Sequence, residues 1–157
     1  MFLRDLFPPE NIKIGLEAEN KDEAFEELVD HYCHTDHVNA REDILDALYE
    51  REAKMSTGIQ KGIAIPHGKT NSVDSVRGVL GISRKGVDYD ALDGKPVYLL
   101  FMIIAPLKDS EKHLQILRRL SELLENPQFY IDLQSQKDAS GVNKIIGKFE
   151  DILIALD

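Results

Sequence analysis

Near the middle of this sequence, the segment YEREAKMSTGIQKGIAIPHGKT brings together an arginine, two hydroxyl residues, several glycines and one histidine, types that together suit the handling of an anionic group. His67 follows Pro66 and precedes Gly68. Proline pushes Ile65 into an extended conformation and offers no backbone donor, and glycine permits angles that other residues avoid, so a strand is expected to stop and turn at His67. A histidine held in that way at a strand end suits binding or catalysis, although a turn histidine packed only for shape would carry the same local sequence. Imidazole, with an ordinary pKa near ~6.5, is largely neutral around neutral pH, so one ring nitrogen can attack while the other is oriented, commonly by a backbone carbonyl.

Further residues could support such a nucleophile. His113 lies three positions after Ser110, in the first turn of a leucine-rich helix, where unpaired N–H groups and the positive end of the dipole suit a phosphoryl group; a core histidine under a helix end is the alternative. Arg51 continues the helical face of Ile44, Leu48 and Met55, so its fork could clamp phosphate oxygens or merely bridge a helix carboxylate. Ser56 and Thr57 supply hydroxyls and Gly58 would let the backbone approach an anion, although each also makes ordinary turns. The segment HYCHTDH offers His31, Cys33, His34, Asp36 and His37 to a metal. Against a metal site there, the apolar stripe Phe25, Leu28, Val29 and Tyr32 turns His34 to the polar side, and a solvated helix end is expected. GxSxG, GxxxxGK[ST] and GxGxxG are absent from the sequence.

These residues need a scaffold. NIKIGLEAE alternates apolar and polar residues as a strand does, and Asn20 or Asp22 is expected to cap a helix running to about His34. A second helix starts near Asn39 and ends in STGIQKG, after which GIAIPHG is a short extended run. VRGVLGIS and VYLLFMIIA read as strands, the latter apolar almost throughout and therefore covered on both sides, with a tight turn at Asp93-Gly94 before it and GVDYDAL left as loop or short strand. Ser110 is expected to cap a helix that turns Leu114, Leu117, Leu120 and Leu124 inward, ending at Asn126-Pro127, with two further helices over PQFYIDLQSQ and SGVNKIIGKFEDILIAL. The pattern predicts an α/β, α+β-like single domain over residues 1–157, a sandwich in which helices flank a mixed β-sheet on both sides.

Composition narrows the function classes. With 28 acidic and 19 basic residues, the net charge of −9 opposes nucleic-acid binding. No apolar run reaches the ~20 residues of a membrane span, the N-terminal segment lacks the apolar core of a signal peptide, and the single Cys33 cannot form an internal disulfide, so a cytoplasmic location without direct membrane insertion is expected.

STGIQKGIAIPHGKT, the arginine of YEREAKM, and DALDGKPVYLLFMIIAP followed by HLQILRRLSELL resemble the enzyme IIA components of the bacterial phosphoenolpyruvate-dependent phosphotransferase system, in the fructose, mannitol and nitrogen-regulatory group. Gln60-Lys61 stands where members of the resembled family often have Gly followed by a small or polar residue. The resemblance implies a type 2 IIA domain and a phosphotransferase with a phosphohistidine intermediate. It makes His67 the phosphorylated residue, His113 a histidine lining the phosphoryl site and Arg51 the supporting cation, without cofactor or metal. It also implies the histidine-containing phosphocarrier protein as phosphoryl donor, and a IIB domain or regulatory target proteins downstream. A chain of this size with PHGK resembles the nitrogen-regulatory branch. A fructose-type IIA passing phosphate to a IIB cysteine is the close alternative, and a nonenzymatic regulatory or metal-binding module is the alternative of another class.

Overall fold

The computed structural model describes residues 1–156. Its centre is an antiparallel pair, β5 (Arg77–Val87) and β6 (Val97–Ala105), joined across the turn where Gly94 N donates to Ala91 O. β1 (Ile12–Ile14) runs parallel along the free side of β5. Along the other side of β6 lie, in succession, β3 (Ile63–Ala64) and β4 (His67–Lys69), both parallel to it, and β2 (Gly58–Gln60) closes that edge as the hairpin partner of β3. Lys61 and Gly62 make the two-residue hairpin loop, both with positive φ (50° and 82°), as a primed turn requires. Among the described residues the sheet therefore reads β1-β5-β6-β3-β2, with β4 also on β6.

β6 is buried on both faces because its side chains alternate between two cores. Leu99, Phe101, Ile103 and Ala105 meet the side covered by α1 (Leu3–Leu6), α4 (Ser110–Leu124), α5 (Pro127–Ser135) and α6 (Ala139–Ala155). Leu100, Met102 and Ile104 meet the side covered by α2 (Lys21–Asp36) and α3 (Arg41–Glu52). The expected sandwich is present, with helices on both faces of a mixed sheet.

Several boundaries differ from the expectation for local reasons. The first strand spans three residues, because Gly15 with φ 84° turns the chain so that the Gly15 and Leu16 amides both donate to Ile82 O. Asn20, not Asp22, caps α2 by accepting from Glu23 N at 2.9 Å, and the helix continues past His34 to Asp36. α3 stops at Glu52, so Met55 leaves the face of Ile44 and Leu48 and is 59% exposed.

In α4 the inward face is His113, Ile116, Leu120 and Leu123, whereas Leu114 is 56% exposed and Leu117 and Leu124 are half-buried. Ser110 is not its cap. A 3-10 turn, Leu107–Asp109, feeds directly into the helix, the Ser110 amide and hydroxyl both donate to Leu107 O, and Leu107 N donates to the Asn71 side chain at 3.0 Å. At the chain's two ends, the fully buried Glu150 of α6 accepts from Leu3 N at 2.6 Å and meets Arg4 Nε at 3.3 Å and Arg119 Nη1 at 3.4 Å, which fastens α1 to α6.

Candidate active site

His67 opens β4. Pro66 carries no N–H, so the ladder along β6 pauses there, with only the Pro66 carbonyl accepting from Ile103 N; the chain then resumes pairing at His67 opposite Ile103. The strand thus begins at His67 where the sequence suggested a stop and a turn. Gly68 is extended, and its role is clearance: a Cβ there would lie 2.7 Å from Ala47 O and 3.0 Å from Ala47 Cβ, so glycine lets β4 press against α3.

The imidazole is held from behind. His67 Nδ1 lies 2.7 Å from Ile65 O, and a carbonyl only accepts, so Nδ1 carries the proton and Nε2 keeps the lone pair. Burial is the main cause that lowers its pKa below the ordinary histidine range, and the Arg51 and Lys69 charges act in the same direction, against the Ile65 hydrogen bond and Glu52. The ring is therefore neutral around neutral pH.

His113 packs edge-on against it, with ring centroids 5.6 Å apart and planes at 78°. It is 2% exposed and its Nε2 is buried without a hydrogen-bond partner among the described residues. Burial, then the neighbouring His67 and Lys69, push its pKa down to about 4, so it too is neutral.

Both rings line a cleft of about 560 Å³ between the C-terminal end of α3, β4 and the start of α4, with Arg51, Lys54 and Lys69 on its rim. Arg51 Nη1 donates to Met55 O at 2.7 Å, which leaves its other donors for an anion. Lys69 was not singled out from the sequence. Strand periodicity would have found it, since it lies two residues beyond His67 on the same face of β4.

Ser56, Thr57 and Gly58 do not line this cleft. Ser56 Oγ accepts from Gly58 N at 3.1 Å, and Thr57 is 2% exposed and bonded to Glu52. At Gly58 a Cβ would meet Ala91 Cβ at 2.7 Å, so glycine there serves packing against the 89–91 segment. In HYCHTDH, His31 Nε2 faces Glu10 O at 2.8 Å, His34 is exposed, and His37 ends α2 with φ 54°. Among the described residues no three His, Cys, Asp or Glu side chains converge as metal ligands. A second cleft, of about 600 Å³, opens beside Asp5, Glu10, Asp36, Asp74 and Arg77; this acidic lining contains no histidine and repels phosphate.

A neutral imidazole with a fixed tautomer, a buried partner imidazole and three cations around a cleft can accept and hold a phosphoryl group. The comparisons agree with that chemistry. Residues 5–149 match the family model described as "Phosphoenolpyruvate-dependent sugar phosphotransferase system, EIIA 2". The chain is 35% identical over 150 residues to the PTS system fructose-specific EIIABC component of Bacillus subtilis, with 96% of this chain covering 24% of that longer protein. It is 30% identical over 146 residues to a nitrogen regulatory protein of Bradyrhizobium diazoefficiens, covering 93% of this chain and 95% of that one. The crystal structure of nitrogen regulatory protein IIA-Ntr from Neisseria meningitidis superposes with a TM-score of 0.84 at 29% identity, over 92% of this chain and 98% of that one. Among the described residues no helix is long and apolar enough to cross a membrane.

Proposed function

The chain belongs to the EIIA type 2 family of phosphoryl carriers in the phosphoenolpyruvate-dependent phosphotransferase system, and we propose that it accepts phosphate on His67 Nε2 from the histidine-containing phosphocarrier protein and serves nitrogen-type regulation in the cytoplasm. The observation that carries this reading is the 2.7 Å contact from His67 Nδ1 to Ile65 O, which leaves Nε2 as the attacking atom.

Nε2 attacks phosphorus in line while the bond from phosphorus to the donor imidazole breaks and the donor nitrogen recovers its electron pair. The His67 ring becomes positive, and the Ile65 carbonyl, accepting from Nδ1–H, stabilises that charge. Arg51 and Lys69 offset the charge of the phosphoryl oxygens, and His113 Nε2, when it carries the proton, donates to one of them. No step calls for a metal.

The regulatory role is supported by the end-to-end likeness to IIA-Ntr. The second reading, a fructose-type IIA that passes phosphate to a IIB cysteine, is favoured by the higher identity to the fructose-specific relative. Incubation with phosphoenolpyruvate, enzyme I and the phosphocarrier is expected to add one phosphate, alkali-stable and acid-labile, mapped by mass spectrometry to His67. Phosphate on His113, or none, overturns the assignment. Rapid loss of that phosphate when a fructose IIB and sugar are added selects the second reading, and retention selects the first.

A further inference from the structure

The turn between α3 and β2 is tied down by a carboxylate that the transfer step does not use. Glu52, the last residue of α3, has a side chain only 6% exposed and 3.1 Å from Lys21 Nζ of α2. It accepts from Thr57 N at 2.9 Å and from Thr57 Oγ1 at 2.6 Å. Because a carboxylate only accepts, the single hydroxyl proton of Thr57 goes to Glu52, and the Tyr89 hydroxyl, 2.6 Å from Thr57 Oγ1, is the donor in that contact. Lys21 completes the cluster over the Tyr89 ring, 5.1 Å from its centre.

The same turn leads to the cleft along two paths. Thr57 O accepts from Ile65 N at 3.0 Å, and Ile65 O in turn accepts from His67 Nδ1. Two residues before Thr57, Met55 O receives Arg51 Nη1. We propose that Glu52 and Thr57 are positioning residues that lock this turn, so that the Ile65 carbonyl selects the His67 tautomer and the Met55 carbonyl aims Arg51. The proposal rests on His67 as phosphoryl acceptor. Neither residue of the lock lines the cleft, and both act through the backbone between them and the reacting groups.

Thr57→Val keeps the shape and the amide bond to Glu52 but deletes the hydroxyl, which leaves the Tyr89 donor and one Glu52 oxygen unpaired. Nitrogen-15 NMR of the neutral His67 ring is expected to show Nδ1–H in the wild type and a mixture of tautomers in Thr57→Val. Transfer from the phosphorylated carrier is expected to slow on the order of 10- to 100-fold, the range of a small misplacement of reacting groups. Thr57→Ser should restore both. A folded Thr57→Val with the wild-type tautomer and rate overturns the lock, even if its melting temperature has fallen. Should Thr57→Val not fold, Glu52→Ala, which removes both acceptors and leaves the Thr57 amide unpaired, is expected to change tautomer and rate in the same direction, and unchanged values overturn the proposal equally. The tautomer is read without phosphate, so failure of wild type to accept phosphate strikes the carrier reading alone, while an unchanged ring in the variants strikes the lock alone.

Discussion

At the scale of single residues, the proposed function assigns the two histidines separable tasks. His67→Ala is expected to take up no phosphate while circular dichroism and melting stay close to wild type, since a half-buried residue at a strand start contributes little core packing. His113 should give a different result: His113→Ala slows transfer by ~10²-fold to 10³-fold in a rapid-quench assay, and His113→Gln, which keeps a donor, retains more. Its burial also links it to pH. Because its folded pKa is lowered to about 4 from an ordinary 6.5, the unfolded chain binds a proton between these values that the folded chain does not. Stability is therefore lost as pH falls through that window, by about 3 kcal/mol at its lower end. Urea unfolding of wild type and His113→Gln measures this as the difference between their pH profiles. That His67, His113 and Arg51 line one cleft was legible in part, because each is a chemical type at a position the pattern exposes. The Glu52–Thr57 cluster was not, because it depends on the path of a turn that brings Tyr89, far along the chain, against Thr57.

At the scale of elements, the long apolar strand, the order of helices and the turn at Asp93-Gly94 were legible because hydrophobic periodicity and turn residues act locally. The register of α4 was not. Its sequence carries two stripes, one through Leu114, Leu117 and Leu124 and one through His113, Ile116 and Leu123, and the second faces the sheet because the preceding 3-10 turn sets the rotation of the helix. The β4–α3 contact makes a further prediction. Gly68→Ala places a methyl group against the Ala47 carbonyl and is expected to cost about 1–3 kcal/mol by forcing the strand from the helix. Displacement of His67 should slow transfer at temperatures where the variant is still folded, and chemical denaturation alongside the transfer assay separates the two effects.

At the scale of the whole molecule, the sheet divides two cores, and the cleft sits where α3 from one side and α4 from the other meet β4. The junction of α1 with α6 lies apart from it. Glu150→Ala strands the Leu3 amide, removes the partner of Arg119 and leaves Arg4 with Asp151 alone, which should lower stability by about 1–3 kcal/mol in urea and speed hydrogen exchange at Leu3. Transfer rates should hardly change.

That junction also makes the order of the helices along the chain partly interchangeable. With α1 docked on α6, a short flexible linker could join the two ends while new termini are opened between Gln136 and Lys137, next to the exposed Lys137 and Asp138. In such a circular permutant α6 would precede α1 in one run of chain, and Asp138 would still cap its helix by accepting from Gly141 N. The permutant is expected to melt cooperatively and to take up phosphate at the wild-type rate. Loss of cooperative melting would mean that the contact between the ends forms only because the intervening chain has already folded around it.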